Sequence, residues 1–447
     1  MKVVIVGGST AGFICSLAAR RFNEDAKIVV IRRERKALVT CGIPYIFGTL
    51  LSIEKDLLPD KLLADNNIEL VIGEVKSIRR DEKVVVLSNG QEMSYDKLVL
   101  ATGSTPVRPP VPGMDFENVF FAKKDPDYLQ RLLLKLEGAK DVVVIGGGFV
   151  GVEFAEQFRK RGLNVTIVEL LPHCLQLNFD DEYCIMAEEK LRELGIRVIT
   201  KETVEEVVGE NGKVVGVRLA GGERLKADIV LVAVGVRPET TLAREAGLKI
   251  GEMGGVWVNE YMQTSDEDIF AAGDCAEKYS FFTKKPTNLR LASIAAREAK
   301  IVAANLSQPR VKNSGAIGCF ATVVGDLGLG VAGLIERTAR EVGFDVLVGT
   351  ATTVDKHPGA MPGTKKLKVK LIFDRASRVI IGGEVAGGVT AAELANIVSI
   401  MIERRMTVEE VAFSQYGTHP ALTASPRTHP IAYAAEDALL KRASSAA

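Results

Sequence analysis

Two kinds of residue in this chain have the type and spacing for chemistry: a cysteine, Cys41, set in LVTCGIPYIFG at 38–48, and glycines that follow apolar runs in GGSTAG at 7–12 and GGGFVG at 146–151. A cysteine thiolate is a nucleophile that exchanges with sulfur or handles electrons, whereas an isolated cysteine otherwise serves as a small core residue. A glycine turn after a strand lets backbone N–H groups and the next helix N-terminus approach a pyrophosphate that a side chain would block. GGGFVG fits G-x-G-x-x-G with Gly146, Gly148 and Gly151, and Glu169 closes the following strand, where a carboxylate can bind ribose hydroxyls. Leu170 and Leu171 come next instead of a basic pair, which favours NADH over NADPH. GGSTAG departs from that pattern: Ser9 takes the middle glycine position, Arg32 stands where an acid usually ends the second strand, and Glu34 is the ribose candidate two residues on. Taken alone, the first turn reads equally as a dinucleotide site or an ordinary tight turn.

The elements that must position these residues repeat. KVVIV at 2–6 reads as a strand, 13–22 as a helix and KIVVI at 27–31 as a second strand, the opening of a βαβ unit. The order returns at 141–169, with DVVVI, the glycine turn, a helix through about Arg161 and NVTIVE, so the chain holds two nucleotide-binding units. Each is followed by a β-meander, at 74–103 with a turn at Asn89-Gly90 and at 196–235, and each meander closes on a strand ending in glycine. From about Gly315 strands (366–374, 379–387) and a helix (390–405) read as a third domain.

The 447 residues suggest two to four domains. Lys plus Arg equals Asp plus Glu at 57 each, so no basic footprint invites nucleic acid or an anionic membrane, and a small-molecule ligand is expected. MKVVIVGG is a strand and a turn, not a leader, and no apolar run reaches membrane-spanning length, so the expected compartment is the cytoplasm. The six cysteines (15, 41, 174, 184, 275, 319) lack CxxC pairs or Cys/His spacing, which argues against a disulfide framework or a zinc site. The other five are read as structural.

Four motifs in one order, GGSTAG, LVLATGS at 98–104, GGGFVG and TSDEDIFAAGDCA at 264–276, resemble the pyridine nucleotide-disulfide oxidoreductases, flavoproteins with two dinucleotide-binding domains. The resemblance implies an α/β fold: two Rossmann-like domains, one for FAD (1–117 and 246–314) and one for NAD(P)H (118–245), plus a C-terminal α+β dimerisation domain (315–447) and a homodimer. It implies FAD contacts from Gly7, Gly8, Ser9, Thr10, Ala11, Gly12, Arg32, Glu34, Val75, Ala101, Thr102, Gly103, Gly273, Leu291 and Ala292, with Asp274 on the ribityl chain. It implies nucleotide contacts from Gly146, Gly148, Phe149, Val150, Gly151, Glu169 and Gly235. Phe149 resembles an aromatic lid over the nicotinamide, against an alternative of helix packing, and Glu153 is placed toward the nicotinamide or a flavin-side lysine.

Branches with CxxxxC need a second cysteine at 46, where this chain has Ile46. CGIPY instead resembles the single-cysteine branch of coenzyme A-disulfide reductases, polysulfide or persulfide reductases and NADH oxidases, and HPGAMPGTKKLKVKLIFD at 357–374 resembles their dimerisation domain. The implied route runs from NADH through flavin to sulfur at Cys41, whose thiol a helix dipole would acidify. The acceptor is then a disulfide, persulfide or polysulfide such as coenzyme A disulfide; the alternatives are dioxygen, or a protein electron carrier. Thr10 stands where the NADH peroxidase branch has a histidine, which disfavours a dedicated peroxide reductase. Within YGTHPALTAS at 416–425, Tyr416 and His419 are catalytic candidates contributed to the partner subunit's cysteine. Lys365, Lys366, Lys368 and Lys370 read either as a solvated strand face or as phosphate contacts for coenzyme A. LVT before Cys41 departs from the coenzyme A-reductase pattern, which counts against coenzyme A itself.

Overall fold

Val3, Val4, Ile5, Val30 and Val99 are wholly buried, which is why their strands read as near-continuous apolar runs: a parallel strand covered on both faces has no polar side to show. The computed structural model describes residues 1–445, and its contacts gather the chain into two units: 1–140 with 209–215 and 228–316, and 141–208 with 216–227 and 317–447. The expected nucleotide segment 118–245 is therefore divided between them. Val119–Phe121 and Ile229–Val232, which pair in parallel, both fall in the first unit.

The first unit is built on a parallel sheet in the order Ile269–Ala271, Lys97–Leu100, Lys2–Val6, Lys27–Arg32, Ile68–Ile72. The Thr10–Phe22 helix buries Gly12, Cys15, Ser16 and Ala19, one face at helical spacing, and packs against the Ala292–Asn305 helix. It starts at Thr10, earlier than the glycines suggest, because Gly12 is there for close packing: a Cβ on it would stand 1.8 Å from the Gly7 carbonyl oxygen. The predicted meander is an antiparallel trio, Val75–Arg79, Val84–Leu87 and Glu92–Ser94, with its turn at Asn89-Gly90.

The second unit repeats the parallel pattern with Asp141–Ile145, Asn164–Val168 and Arg197–Ile199, and the Phe149–Lys160 helix follows the glycine turn. Its C-terminal half is a five-stranded antiparallel sheet, in the order Cys319–Val324, Leu327–Gly333, Ile380–Gly387, Lys366–Asp374, Val346–Val354. The Ala391–Glu403 helix packs on it closely enough that a Cβ at Gly330 would lie 2.7 Å from the Ala391 carbonyl oxygen. Among the described residues no helix is long and apolar enough to cross a membrane.

Candidate active site

In the first unit the sheet order turns back between Lys2–Val6 and Lys97–Leu100, and open α/β sheets bind ligands at the carboxyl ends of strands beside such a reversal. The motifs meet there. Gly7 has φ +108°, and a Cβ on it would stand 2.1 Å from the Ala101 carbonyl oxygen, so the first glycine turn and ATGS lie backbone to backbone. The Ala272 N–H donates to the Leu100 carbonyl at 3.0 Å, which brings Gly273 and Asp274 to the same end. Ser9 caps the Thr10–Phe22 helix without a side-chain hydrogen bond, as does Leu291 before the Ala292–Asn305 helix. Leading N–H groups of both helices thus remain for an anion.

Asp274 is mostly buried, and its Oδ2 accepts from Ser104 Oγ at 2.7 Å and Lys124 Nζ at 2.8 Å. Burial alone would raise its carboxyl, but Lys124 and Ser104 outweigh that and hold it below the usual range. Oδ1 is left for a further donor, as a ribityl hydroxyl would be. Beneath it lies a buried ion pair, Lys278 with Glu298 at 2.9 Å. Thr102 Oγ donates to the Glu239 carbonyl at 2.6 Å, and Gly103 (φ +76°) faces open space. Ala11 and Val75 are buried in the unit's core.

Arg32, although it stands at the acid's usual place, is turned to internal use. Its guanidinium is bidentate on Asp60 (2.8 and 2.7 Å), donates to the Glu34 and Arg35 carbonyls, and packs its methylenes against Gly8. That spends four of its five donors and shapes the turn instead of presenting charge to a ligand. Glu34 pairs with the adjacent Arg33 at 2.9 Å.

Cys41 is exposed; the Thr40 hydroxyl beside it lies 3.1 Å from the hydroxyl of Thr10, the first residue of the glycine-turn helix. The expected helix dipole is a correction: the element after Cys41 is a five-residue 3-10 helix, Ile43–Phe47, helped to start by Pro44 and ended by Gly48. So short an element carries little of an α-helical dipole. Cys15, Cys174, Cys184 and Cys275 are buried and Cys319 is half-buried. Burial pushes all five thiols up, Cys15 and Cys184 to about 12.

In the second unit Gly146 has φ +105°, and a Cβ at Gly151 would stand 1.9 Å from the Gly146 carbonyl oxygen, which locks helix to turn. Gly148 caps that helix with no side-chain bond and faces open space; Val150 is exposed, and so is Leu170. Glu169 is buried, accepting from the Gly147 N–H at 2.5 Å and the Leu171 N–H at 2.7 Å. Each oxygen keeps one lone pair for a ribose hydroxyl.

The Phe149–Lys160 helix is braced along one face by the Cys319–Val324 strand and the turn after it. Phe149 stacks on Phe320 (centroids 5.2 Å, planes 5° apart), Glu153 accepts from Thr322 Oγ at 2.9 Å, and Glu156 accepts from the Gly325 N–H at 3.0 Å. Glu153 is thus bonded to a threonine where a nicotinamide or flavin-side lysine was expected; burial raises its carboxyl to about 7. Phe149, half-buried, is packed between Phe320 and Phe179.

Tyr416 stacks on His429, a residue the sequence did not single out, with centroids 3.7 Å apart. Burial pushes the tyrosine up to about 12 and the histidine down to about 4, and His429 Nδ1 has no hydrogen-bond partner among the described residues. His419 is exposed in a turn, its Nδ1 accepting from the Ala421 N–H. The four lysines differ: Lys365 and Lys366 are exposed, Lys368 is half-buried and Lys370 is buried. Lys370 is buried between Asp180 (2.7 Å) and Glu336 (2.9 Å), Lys368 pairs with Glu182, and Lys365 with Asp326. Lys124, Lys278 and Glu298 carried no signal in the sequence.

The profile described as pyridine nucleotide-disulphide oxidoreductase matches residues 1–299, and that of the same family's dimerisation domain matches 319–430. A protein of Methanocaldococcus jannaschii named NADH oxidase is 33% identical over 453 residues, 99% of each chain. One of Pyrococcus furiosus named NAD(P)H sulfur oxidoreductase (CoA-dependent) is 32% identical over 434 residues, 94% of this chain and 95% of that one. The solved NAD-dependent persulfide reductase from A. fulgidus superposes with a TM-score of 0.92 at 32% identity, over 99% of this chain and 84% of that chain.

Proposed function

Because the chain belongs to the pyridine nucleotide-disulphide oxidoreductase family, and is an oxidoreductase of the NADH oxidase and NAD(P)H sulfur oxidoreductase type, we propose that it passes electrons from NADH by way of FAD and Cys41 to a disulfide, persulfide or polysulfide. The observation that carries the reading is the placement of Cys41: it is exposed and follows Thr40, whose hydroxyl meets Thr10 of the first glycine-turn helix, while the other described cysteines are buried or half-buried. The glycine cradle supports FAD on this chain, since a Cβ at Gly7 or Gly12 would collide with backbone and the uncapped helix faces the turn. Bound FAD would supply the two-electron step between nicotinamide and sulfur. The Gly7–Gly12 turn would hold its pyrophosphate and Asp274 its ribityl chain. The Gly146–Gly151 turn and Glu169 would hold NADH; Leu170 beside Glu169 offers no cation to a 2′-phosphate.

In this reading the Cys41 thiolate attacks one sulfur of the substrate, the sulfur–sulfur bond breaks, and the departing thiolate takes a proton as free thiol. Cys41 holds the other half as a mixed disulfide. Two electrons then cleave that bond, release the second thiol after protonation and return Cys41 to thiolate. One cysteine suffices because the substrate brings the second sulfur. Residues 315–447 would form a homodimer interface. Coenzyme A as the carrier would have to find its phosphate contacts elsewhere than Lys365, Lys368 and Lys370, which carboxylates already neutralise.

The second reading, reduction of dioxygen with Cys41 cycling through a sulfenic acid, is supported by the M. jannaschii relative's name over 99% of this chain. Oxygen-free NADH consumption by wild type and Cys41→Ser, offered coenzyme A disulfide and polysulfide, separates the two. Turnover that vanishes in the variant supports the sulfur reading. Absence of turnover in both, with NADH consumption restored by air, refutes it in favour of the oxidase.

A further inference from the structure

Gly273 is held at both of its backbone polar groups by one buried ion pair. Its N–H donates to Glu298 Oε2 at 3.0 Å, and its carbonyl accepts from Lys278 Nζ at 2.5 Å. The same ammonium also donates to the Ala276 carbonyl at 2.9 Å and lies 2.9 Å from the same Glu298 oxygen. Both side chains are almost wholly buried, at 2% and 3% exposure. Gly273 itself sits in the left-handed region, φ +77°, where a Cβ would meet Ala11 of the glycine-turn helix at 2.8 Å and Ala295 of the Ala292–Asn305 helix at 3.6 Å. The turn is thus wedged between two long helices and tied on its inner side by a lysine and a glutamate. The next residue, Asp274, points its carboxylate to Ser104 and Lys124 instead.

A buried ion pair is a poor way to gain stability, because desolvating two charges offsets most of their attraction and apolar residues of similar size do as well. What it provides here is geometry: an acceptor for the N–H on one side of a left-handed glycine and a donor for the carbonyl on the other. We propose that Lys278 and Glu298 are positioning residues for flavin binding, a clamp that fixes the Gly273 peptide so that Asp274 meets the flavin's ribityl chain. This rests on the reading of Asp274 as the ribityl contact. Neither residue touches the ligand; both act through the backbone of Gly273.

The test replaces both charges at once in the holoenzyme, Lys278→Met with Glu298→Leu, beside Asp274→Asn and Glu298→Gln. FAD retention is read from the fluorescence of flavin released on dilution, and folding from circular dichroism. The double variant is expected to fold and to bind FAD about tenfold more weakly, the size of one hydrogen bond to a charged group. Glu298→Gln, which keeps an oxygen for the Gly273 N–H, is expected to recover most of that loss. FAD retention within twofold of wild type in the double variant, while Asp274→Asn loses FAD, overturns the clamp and leaves the flavin site standing. Retention within twofold in Asp274→Asn removes the flavin reading of that carboxylate, and the clamp with it. Should the double variant not fold, Lys278→Leu with Glu298→Gln, which removes the donor to the Gly273 carbonyl and leaves no buried charge, is judged by the same twofold limit.

Discussion

Gly148 and Gly151 lie three residues apart in one turn, and they are glycine for different reasons. A Cβ at Gly148 would find no protein atom within 4 Å, and its φ of −73° suits any residue. Gly148→Ala should therefore change stability by under about 1 kcal/mol, the size of a helix-cap substitution. If NADH approaches that backbone closely, the methyl group stands in its way. Losing one charge-assisted hydrogen bond to a phosphate costs about 1.5–3 kcal/mol, so the KM for NADH should rise roughly 10- to 100-fold by the usual conversion of free energy to rate or affinity. At Gly151 the added carbon would lie 1.9 Å from the Gly146 carbonyl oxygen, backbone that has nowhere to go. Gly151→Ala should cost about 1–3 kcal/mol in stability, as overpacking does, and lose NADH binding as the turn opens. Steady-state kinetics and thermal unfolding of the two variants, with flavin content checked, decide the matter. A Gly148→Ala enzyme with KM within twofold of wild type would refute the assignment of this turn to the dinucleotide.

Lys370→Met strands Asp180 and Glu336 without their cation. Breaking a buried pair costs about 3–5 kcal/mol, less here because Glu336 reaches water, and a melting-temperature drop of several degrees is expected, restored in part by Asp180→Asn. In the native protein a thiol reagent should label Cys41 fast and Cys319 slowly, with the four buried cysteines reacting only after denaturation, as mass mapping of the labelled peptides would show. Burial holds the Glu153 carboxyl at about 7 against an ordinary 4.5, so the folded state binds its proton more tightly than the unfolded state. That contribution is full below the ordinary value and fades as pH rises to about 7. Glu153→Gln should remove this part of the slope from a plot of melting temperature against pH, and an unchanged slope would contradict the burial argument.

What was legible in the sequence is what the chain needs locally. Gly146 and Gly151 must be glycine for reasons that lie within six residues, and KLKVKLIFD at 366–374 forms one continuous strand, so both are legible with nearly correct bounds. The start of the first helix was misplaced because Gly12 looks like a turn residue until the Gly7 carbonyl is seen against it. The helix expected after Cys41 comes with the family resemblance, whereas locally the chain makes one short 3-10 element that ends at Gly48. The remaining misses are partnerships across long stretches of chain. Lys124 meets Asp274 from 150 residues away, Lys370 meets Asp180 from 190, and Glu153 meets Thr322 from 169. No local periodicity records such pairs, so an alternating lysine strand reads as solvated when its counter-ions are elsewhere in the sequence.

The bracing of the Phe149–Lys160 helix by Phe320, Thr322 and Gly325 bears on how this protein can be taken apart. Sequence profiles cut the chain between 299 and 319, yet the aromatic neighbour of Phe149 and the hydroxyl on Glu153 both lie beyond that cut. A chimera joining residues 1–316 to another protein's C-terminal third would inherit a nucleotide turn whose supporting wall had been exchanged. Dinucleotide affinity should then follow the donor of the C-terminal sheet as well as the donor of the glycines. For recombination, the interchangeable module is 141–208 with 216–227 and 317 onward, three stretches that must travel as one.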